Sequence, residues 1–579
     1  MKLLLLHSSY LEFKTHKKAV DSAEECDEEK KHIDDCLVVF NALEKGDEKD
    51  LEYVVKRADE EIRDVVKQVD TERIVIYPWV HLTSIPGDLN AAMESQKMLE
   101  ERLKKDFKVT RSPFGWYKEF EIHVKGHPLS ELSREIRPEE GQEEGVKELG
   151  EEEHKRLVKK LSKTTMSAKE PPGGKKSQVE IGRDLDLYIN NEIVGRGLPL
   201  LTPKGTTIYR EIREFIEEEE DKRGYQRTKT PEMAKSDLYK LSGHWQHYKD
   251  DMFTLEVNED NYALRPMTCP FHFALYKRKP RSYKDLPKKY AEVATLFRKE
   301  KSGELRGLTR VSQFDLADAH IICKTDQLED EFKEVLDLIE YVMEQLGIEN
   351  IWYRFSKWDP KKKGEKYIDD PEAWEESQSV MRKILEKSDL DYVEKNDEAA
   401  FYGPKLDLQY EDVYGKEDTL ITVQIDFSSS ERFNLTYKDE NDNEKEPIVI
   451  HRSSVGCLER TIAHLLEKTQ GNLPTWLAPK QVRIISHTDR NIDHCKKFIQ
   501  KLKKEIPKIR VDSDLESSTL SNKIKKVEKK RIPYAVVIGD KEEEKGTLAV
   551  RRRWEENVEY GVDPEDFISE LKQRISKRK

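Results

Sequence analysis

A single cysteine lies between two prolines in the stretch LRPMTCPFHF, residues 264–273. The chain has only six cysteines, widely scattered at positions 26, 36, 269, 323, 457 and 495. A thiolate at position 269 could bind a metal ion, but its other ligands would have to come from distant segments. The alternative is that Cys269 packs beneath a bend in the chain. Spacing alone leaves both interpretations open.

A second candidate for chemistry is the segment TLFRKEKSGELRGLTRVSQFDLADAHIIC, residues 295–323. A strand is predicted to end at Phe297-Arg298, and after a Ser-Gly turn a second strand returns through Arg310, with Phe314 beyond it. Guanidinium groups bind phosphate oxygens and aromatic rings stack on bases, so this hairpin suits a nucleoside polyphosphate. The alternative is a solvated arginine-rich hairpin, which spacing alone favours.

The elements that precede these residues are predicted to form a small α+β domain. Strands are expected at 2–6, 36–40, 73–77 and 119–125, and helices near 48–69 and 88–105. The segment 134–180 is dense in charge, glycine and proline and nearly lacks aromatic residues, so it cannot bury enough apolar surface to fold alone. We predict a linker there, whose middle forms a solvated helix.

Two further patterns follow the linker. Ile208, Ile212, Phe215 and Ile216 have helical spacing, and their apolar stripe could face a core or another subunit. Strand patterns dominate residues 252–427 and predict a large sheet, which a helix after SVGC completes. Beyond residue 480, strands and helices alternate in a compact α/β unit.

Composition restricts the class of protein. A chain of 579 residues with 36% hydrophobic and 38% charged residues is expected to form three or four soluble domains. No run of 18 apolar residues occurs, and MKLLLL is shorter than the apolar part of a signal peptide, so we expect no membrane association. Scattered cysteines predict a cytoplasmic location. The net charge of −13 excludes a uniformly basic surface, although SNKIKKVEKKR and VRRRW are local basic patches.

Three stretches resemble the motifs of the class II aminoacyl-tRNA synthetases, in the order that the class requires. TKTPEM at 228–233 resembles motif 1, the arginine hairpin resembles motif 2, and HRSSVGCLER at 451–460 resembles motif 3. Five stretches of this chain resemble the catalytic domain of threonyl-tRNA synthetases: LSGHWQHYKDDMF, LRPMTCPFH, GLTRVSQFDLADAHIIC, AFYGPKLDL and TVQIDF.

The resemblance implies a fold class and a domain order. It predicts an α+β multidomain protein with a class II antiparallel-sheet catalytic core, an N-terminal deacylase-like α+β domain and a C-terminal α/β anticodon-binding domain. The implied segments are an editing domain over 1–135, a charged linker over 136–182, a catalytic domain over 183–476 and an anticodon-binding domain over 477–579. The helix at 205–223 and motif 1 suggest a homodimer, as in most class II enzymes.

The same resemblance gives Cys269 its partners. In threonyl-tRNA synthetases a cysteine and two histidines bind one zinc ion, and the matching positions are Cys269, His320 and His451. Three protein ligands leave zinc an open coordination position that can meet substrate. An apolar pocket separates threonine from valine by only about 10²-fold. Zinc that accepts both the amino group and the hydroxyl of L-threonine rejects valine, which has no second donor atom.

The resemblance also implies how ATP and magnesium activate threonine. The threonine carboxylate attacks the α-phosphate, so the enzyme needs only to position the reactants and neutralise charge. Arg298 would hold the α-phosphate and the carboxylate, Glu300 would meet the adenine amino group, and Phe314 would stack on the ring. Four residues would lie at or near the γ-phosphate: Arg310, Arg460, Lys405 and Gln424. Three would line the threonine pocket, the first of them accepting the hydroxyl proton: Asp318, Tyr402 and Met267.

Two positions depart from the family pattern. Leu316 stands where better-known bacterial members carry a glutamine near the substrate, which changes how the polar end of the amino acid can be held. Cys457 occupies a position usually filled by serine, and we interpret it as a small buried side chain at a helix start. Neither departure removes a metal ligand or a motif arginine.

Residues 1–133 resemble the archaeal-type editing domain, akin to D-aminoacyl-tRNA deacylases, through LLLLHSSY, YPWVHLTS and SPFGWYKEFEIHVKGHPLSELSREI. Serine lacks only a methyl group of threonine, worth about 1–3 kcal/mol in a pocket, so seryl-tRNA must be removed at a second site. In that family the 2′-hydroxyl of the terminal ribose assists hydrolysis. The matching site residues are Lys118, Tyr117, His81 and Glu131. The alternative for Lys118 is an exposed lysine on an edge strand.

HVKGH at 123–127 looks like the His-x-x-x-His motif of bacterial editing domains. However, Phe120, Ile122 and Val124 alternate with polar residues, which predicts a strand, so the two histidines share no helical face. We interpret this match as chance.

Residues 478–579 resemble the class IIa anticodon-binding domain, so tRNA(Thr) is the expected partner. Arg551, Arg552 and Arg553 are candidates for anticodon contact, and a solvated basic edge fits each of them equally well. Two alternatives remain: a catalytically silent paralogue that binds tRNA, and a deacylase fused to a relic catalytic domain. Arg298, Arg460 and the zinc-ligand positions are intact, which argues against the first.

Overall fold

The computed structural model describes the chain except residues 21, 27–29, 84, 137–149, 167, 169, 258–259, 302 and 389 and the side chain of residue 247. The chain divides into two compact units, 1–151 and 152–579. The predicted linker contains 137–149, 167 and 169, which lie outside the described residues. No helix in the described part of the chain is long and apolar enough to cross a membrane. Both units combine helices with sheets, which confirms the predicted α+β class.

The N-terminal unit is a sheet with two helices packed on it. Its elements in chain order are β1 (Lys2–Lys18), β2 (Lys31–Ala42), α1 (Leu51–Val69), β3 (Arg73–Pro78), α2 (Leu89–Leu103), β4 (Lys108–Arg111), β5 (Trp116–Val124) and β6 (Glu131–Glu135). The strand order is β4-β3-β2-β1-β5, and β6 also pairs with β1. The apolar stripe of α1 faces the core because Val54, Ala58 and Ile62 recur at helical spacing, and all three are buried.

The first strand is longer than the predicted 2–6 because its alternation changes at a β-bulge between Ser8 and Tyr10. Leu4 and Leu6 before the bulge and Leu11 and Phe13 after it join the same apolar cluster. One extra residue in a bulge moves odd-numbered side chains to the face that even-numbered ones held. A prediction that relies on uninterrupted alternation therefore ends the first strand too early.

The C-terminal unit contains the large sheet and, further along the chain, a smaller one. Helices up to residue 469 are α3 (Glu151–Leu161), α4 (Gln178–Leu185), α5 (Pro203–Lys222), α6 (Ser236–Leu241), α7 (His244–Tyr248), α8 (Cys269–Lys277), α9 (Leu328–Leu346), α10 (Pro371–Lys387), α11 (Ser429–Phe433) and α12 (Leu458–Thr469). Strands over the same region are β7 (Tyr188–Ile189), β8 (Leu200–Leu201), β9 (Gln226–Arg227), β10 (Met233–Lys235), β11 (Thr254–Val257), β12 (Asp260–Leu264), β13 (Lys288–Phe297), β14 (Gln313–Cys323), β15 (Ile351–Lys357), β16 (Tyr392–Asn396), β17 (Lys405–Glu411), β18 (Glu417–Asp426), β19 (Tyr437–Lys438), β20 (Glu444–Lys445) and β21 (Ile448–Cys457). As predicted for the middle of the linker, α3 is a helix with no buried side chain among those described.

The main sheet has the order β16-β15-β17-β18-β21-β14-β13-β9. Its central neighbours, from β15 to β13, are antiparallel. Ala319, Ile321 and Ile450 point into the apolar core, together with buried residues of α9 and α12. Because side chains alternate between faces along a strand, His320 and His451 face the opposite side of the sheet. One face thus makes the core and the other is free for a site.

Helix α5 faces its own chain. Thr202 caps the first turn by accepting from the backbone N–H of Lys204, and Pro203 stands at the first helical position. Ile208 and the other members of its apolar stripe are buried in the core of the C-terminal unit. This stripe is therefore not free to bind another subunit.

The last hundred or so residues form a second sheet with helices. Its elements are β22 (Val482–Ser486), α13 (Ile492–Glu505), β23 (Val511–Asp514), α14 (Leu520–Lys529), β24 (Tyr534–Ile538), α15 (Asp540–Lys545), β25 (Leu548–Arg552), β26 (Glu559–Val562) and α16 (Pro564–Ser576), with the order β23-β22-β24-β25-β26. This sheet is fixed to the rest of the C-terminal unit. Arg510 pairs with Glu211 of α5 at 2.5 Å, and Arg553 Nη2 donates to the carbonyl of Leu473 at 2.6 Å.

Acid is expected to destabilise the protein through His464 in α12. Its ring is buried 4.4 Å from that of Tyr410, between centroids, and burial lowers the pKa of His464 to about 4. As pH falls from 6.5 to 4, the unfolded chain binds a proton at this histidine that the folded chain does not. The free energy of unfolding should therefore drop by about 3 kcal/mol across that window.

The variant His464→Phe keeps the ring contact and should lose this share of the acid sensitivity. Thermal unfolding midpoints of both proteins, measured above pH 6.5 and near pH 4, test this expectation. An equal fall of the unfolding midpoint between these two pH values in both proteins would contradict it.

Candidate active site

A cavity of about 700 Å³ opens beside the free face of the main sheet. All of the residues predicted for catalysis, ATP, threonine and metal line this one cavity: Met267, Cys269, Arg298, Glu300, Arg310, Phe314, Asp318, His320, Tyr402, Lys405, Gln424, His451 and Arg460. They come from segments far apart in the sequence, so the fold itself assembles the set.

The sheet register explains part of this assembly. Lys405 in β17 lies opposite Gln424 in β18, which lies opposite His451 in β21. His451 in turn lies opposite His320 in β14. Directly opposite residues of antiparallel strands share a face. A single row of side chains therefore crosses four strands beneath the cavity.

The predicted metal ligands converge at one end of this row. Cys269 is the first residue of α8, and the rings of His320 and His451 are 4.7 Å apart between centroids. The ligand atoms of all three residues lie within 4.8 Å of one another, and all three residues are buried. A buried thiol with two imidazoles at this separation fits a metal ion that accepts sulfur and nitrogen.

The second ring nitrogen of each histidine already has a partner. His451 Nε2 lies 2.8 Å from Asp426 Oδ2, and His320 Nδ1 lies 2.7 Å from His272 Nδ1. His451 Nδ1 and His320 Nε2 remain available as ligand atoms. Such outer partners are typical of metal-binding histidines. Sequence reasoning missed Asp426 and His272, although both fall within the quoted stretches TVQIDF and LRPMTCPFH.

Two predicted ATP contacts, Arg298 and Phe314, stack on each other. The guanidinium of Arg298 lies 5.2 Å from the centroid of the Phe314 ring. Its Nε and Nη2 approach the carbonyl of Pro266 at 3.4 Å. Arg298 is therefore positioned by a ring and a carbonyl, and its charge points into the cavity region that Phe314 lines.

Arg310 and Glu300, predicted to bind opposite ends of ATP, are paired with each other. Arg310 Nε donates to Glu300 Oε2 at 2.7 Å, and Arg310 Nη2 contacts Glu304 at 2.9 Å. Arg310 is half exposed, so this pair contributes little to stability and can be exchanged for a phosphate. Binding of a polyphosphate at Arg310 would require that exchange.

Arg460 and Lys405 are held at the far side of the same cavity. Arg460 donates from Nη1 to the carbonyl of Thr419 at 2.7 Å and from Nε to that of Thr309 at 3.1 Å. Lys405 pairs with the buried carboxylate of Asp407 at 3.1 Å. Cations fixed in this way are placed before a ligand arrives, which lowers the entropy lost on binding.

The two departures from the family pattern are neighbours. Leu316 lies opposite Cys457 in the β14–β21 register, and both line the cavity. The thiol of Cys457 donates to Glu459 Oε2 at 3.3 Å. Burial raises the pKa of the Cys457 thiol, and it raises the pKa of Glu459 to about 7. Cys457 is thus a neutral, partly buried side chain beside a helix start, in agreement with its interpretation.

Gly456 is expected to tolerate no side chain. Its φ is +78°, and an added Cβ would lie 2.1 Å from the carbonyl oxygen of Leu420 in β18. Gly456→Ala must therefore displace β18 from β21, and we expect the thermal unfolding midpoint to fall by several degrees. Gly561 is a matched control because its φ is +77° and no atom lies within 4 Å of an added Cβ.

Gly561→Ala should cost only the backbone strain, about 1–2 kcal/mol. Differential scanning calorimetry of both variants measures the difference. Equal midpoints would show that the contact with Leu420 relaxes without loss.

His244 also lines the cavity, although sequence reasoning gave it no role. Its ring is buried, 6.3 Å from that of Tyr402 between centroids, and its Nδ1 lies 2.9 Å from the hydroxyl of Ser242. The stretch LSGHWQHYKDDMF contained this residue, but its spacing did not distinguish His244 from a structural histidine. The hydroxyl of Tyr402 is hydrogen-bonded to Gln424.

The predicted editing residues lie in the N-terminal unit. Lys118 is on the edge strand β5 but is mostly buried, with Nζ donating to the carbonyl of Pro113 at 2.6 Å and lying 4.7 Å from the Tyr77 ring centroid. Burial lowers the pKa of Lys118 to about 8. This is not the exposed lysine of the alternative interpretation. Tyr117 next to it is exposed.

The other two editing residues are not brought to Lys118 by the strand register. Lys118 lies opposite Thr15 on β1, whereas Glu131 lies opposite Leu6, toward the other end of that strand. His81 is exposed in a short turn of residues 80–82. Lys118 and Tyr117 are adjacent, and the joint site remains a prediction.

The two histidines of HVKGH have different partners. His123 is within β5 and stacks against Tyr10, whereas His127 lies beyond the strand, with its Nε2 2.8 Å from His7 Nδ1. This agrees with the strand periodicity and with the interpretation of the match as chance.

The three arginines of VRRRW are engaged within the protein. Arg552 pairs with Glu570 at 2.6 Å and Glu559 at 2.7 Å, and Arg551 pairs with Glu528 at 2.6 Å. Arg553 is bonded to backbone carbonyls. A solvated basic edge is therefore wrong for Arg552 and Arg553, because the guanidinium groups of both already bind partners within the protein.

Three family models match the chain. The archaea-specific editing domain of threonyl-tRNA synthetase matches residues 1–136, the class II tRNA synthetase core domain (G, H, P, S and T) matches 248–469, and the anticodon-binding domain matches 481–574.

Named relatives and solved structures agree. A threonine–tRNA ligase of Clostridium perfringens is 51% identical over 409 residues, which are 70% of this chain and 63% of that protein. One from Oceanobacillus iheyensis is 41% identical over 402 residues, 69% of this chain and 62% of that protein. The chain thus spans less than two thirds of these relatives. The crystal structure of the RNA-binding domain of threonyl-tRNA synthetase from Cryptosporidium parvum Iowa II matches with a TM-score of 0.64 and 30% identity, covering 69% of this chain and 98% of that one.

The antiparallel sheet, the arginines around its cavity and the helix after motif 3 define a class II aminoacyl-tRNA synthetase core. An editing domain specific to archaeal threonyl enzymes precedes this core. The chain belongs to the threonyl-tRNA synthetase family.

Proposed function

We propose that the protein is a threonine–tRNA ligase. It activates L-threonine with ATP, transfers it to the 3′ end of tRNA(Thr), and hydrolyses seryl-tRNA(Thr) in its N-terminal unit. The observation that carries the proposal is the convergence of Cys269, His320 and His451 in the cavity that the predicted ATP-binding arginines also line. A fold shared by several class II enzymes would not by itself select threonine.

Threonine recognition is assigned to the metal end of the cavity. A zinc ion, one per subunit, held by Cys269, His320 and His451 would supply an open coordination position for the amino and hydroxyl groups of threonine. Asp318 accepts the hydroxyl proton of threonine. Tyr402 and Met267 enclose the remainder of the amino acid. Valine offers no hydroxyl and leaves Asp318 unpaired, which penalises it.

Activation of threonine is assigned to the part of the cavity that Arg298, Arg310 and Arg460 line. Arg298 holds the α-phosphate and the threonine carboxylate together, so attack needs no protein nucleophile. Phe314 stacks on adenine, and Glu300 accepts from its amino group once Arg310 turns from Glu300 to the γ-phosphate. Arg460, with Lys405 and Gln424 nearby, holds the same phosphate, and magnesium bound with ATP would neutralise the remaining charge.

Removal of seryl-tRNA is assigned to the N-terminal unit. Lys118 contacts the seryl group, and Tyr117, His81 and Glu131 complete the site with the 2′-hydroxyl of the tRNA. The matched editing-domain model and the buried position of Lys118 support this assignment. The pKa of about 8 leaves Lys118 able to be charged or neutral within the physiological range.

The proposed partners are tRNA(Thr), through the C-terminal domain, and a second copy of the chain. The homodimer rests on the family resemblance, because the stripe of α5 packs into its own chain. A cytoplasmic location is supported by six cysteines that are all free.

Threonine-dependent exchange of pyrophosphate into ATP tests the activation step, and aminoacylation of tRNA(Thr) tests the transfer. Purified protein should exchange with threonine and not with valine. Hydrolysis of seryl-tRNA without any exchange would instead support the deacylase joined to a relic catalytic domain.

A further inference from the structure

A buried chain of hydrogen bonds leads away from His320, on the side opposite the proposed metal. His320 Nδ1 lies 2.7 Å from His272 Nδ1, and His272 Nε2 lies 2.8 Å from the hydroxyl of Thr228. That hydroxyl lies 3.4 Å from Glu292 Oε2 and 3.3 Å from the carbonyl of Ala291. The two histidines and Glu292 are almost fully buried.

Only one direction of donation along this chain leaves His320 able to bind a metal ion. If the hydroxyl of Thr228 donated to His272, then His272 Nδ1 would donate to His320 Nδ1. The proton of the neutral His320 ring would then occupy Nε2, where the metal ligand must be. In the opposite direction His320 Nδ1–H donates to His272, and His272 Nε2–H donates to Thr228. His320 Nε2 is then a free lone pair.

The far end of the chain selects the second direction. A hydroxyl has one proton, and both Glu292 and the carbonyl of Ala291 can only accept it. The carboxylate of Glu292 is fixed by Thr230, whose N–H and hydroxyl donate to it at 3.0 and 2.9 Å, and by Arg265 at 3.0 Å.

The two metal-binding histidines are thus oriented by different means. His451 is held directly by the carboxylate of Asp426, at 2.8 Å. His320 Nδ1 is connected to the carboxylate of Glu292 through His272 and Thr228, and His320 Nε2 lies 3.9 Å from Asp318 Oδ1. The amino-acid sequence gives no indication of this hydrogen-bonded connection, because Thr228, His272 and Glu292 lie in three separate segments.

We infer that His272 and Thr228 are positioning residues that fix the Nδ1–H tautomer of His320 and so present its Nε2 to the zinc ion. The inference rests on the proposed zinc-dependent function and deepens it. Neither residue lines the cavity. Partners of this kind change metal affinity by about 10- to 100-fold when they are removed.

The test compares Thr228→Val, which keeps the side-chain shape but removes the hydroxyl, with Thr228→Ser, which keeps the hydroxyl. Zinc affinity is measured on the full chain by competition with a chromophoric chelator, and the ligand set by the absorption of the cobalt(II) form. Thr228→Val should bind zinc about 10- to 100-fold more weakly, and Thr228→Ser should bind within a few-fold of the wild type.

The outcomes separate this inference from the proposed function. Wild-type protein that binds no zinc would overturn the zinc-dependent proposal itself. Wild-type binding with equally tight binding by Thr228→Val, or an equal loss in Thr228→Ser, would overturn the role of the hydroxyl. If Thr228→Val does not show a wild-type circular dichroism spectrum, His272→Phe gives the same comparison. Unchanged zinc affinity in folded His272→Phe would overturn the inference.

Discussion

Replacing Cys269 with alanine is expected to abolish stoichiometric zinc binding and to lower threonine-dependent ATP–pyrophosphate exchange by on the order of 10³-fold, about 4 kcal/mol of transition-state free energy. The reason is that Cys269 contributes the one sulfur atom of the cluster, and the two histidines alone cannot complete the ligand set. Metal analysis of the purified variant and the exchange assay measure both effects.

Cys495→Ala is the matched control. Cys495 is also free and fully buried, but it lies in the core of the C-terminal sheet, away from the cavity. Both substitutions remove one buried sulfur, so a general loss of packing should affect both. Cys269→Ala protein that still carries one zinc per chain would show that the cluster is not the metal site.

The second large effect is expected from Lys118→Met in the N-terminal unit. Methionine fills the mostly buried space beside the Tyr77 ring but cannot donate to Pro113 or contact a seryl group. Hydrolysis of seryl-tRNA(Thr) should fall by on the order of 10²-fold, whereas charging with threonine should be unchanged. Deacylation of preformed seryl-tRNA(Thr) and aminoacylation with threonine measure the two steps separately.

Lys108→Met provides the comparison, because Lys108 is on the other edge strand, β4, and its side chain is well exposed. Its deacylation rate should match that of the wild type. If Lys118→Met clears seryl-tRNA(Thr) as fast as Lys108→Met does, Lys118 has no part in editing.

Much of the fold could be predicted from the sequence because its patterns are local. The stripe of α5 and the alternation of strands and helices after residue 480 are confirmed. The length of β1 was missed because a bulge breaks its alternation at Ser8–Tyr10. The destination of the α5 stripe was also out of reach, since periodicity shows that a face is apolar but not what covers it.

The same contrast between local patterns and contacts of distant residues applies to the site. The cavity residues that the sequence analysis named were predicted through motif resemblance, which carries information about contacts that spacing lacks. His272 and Asp426 were missed because their roles depend on contacts with His320 and His451, 48 and 25 positions away. The arginines of VRRRW show the reverse error, since local charge cannot reveal that Arg552 is already paired with Glu570 and Glu559.

The ties between the C-terminal sheet and the rest of its unit have a mechanical consequence. Arg510 and Arg553 anchor the sheet to α5 and to the segment that follows α12, so the sheet cannot swing without breaking these partly buried bonds. A nucleic acid that binds this sheet is therefore held in a fixed orientation relative to the main sheet of the same unit. If the proposed tRNA binds this sheet, the distance from its anticodon to the cavity is a fixed length that it has to match.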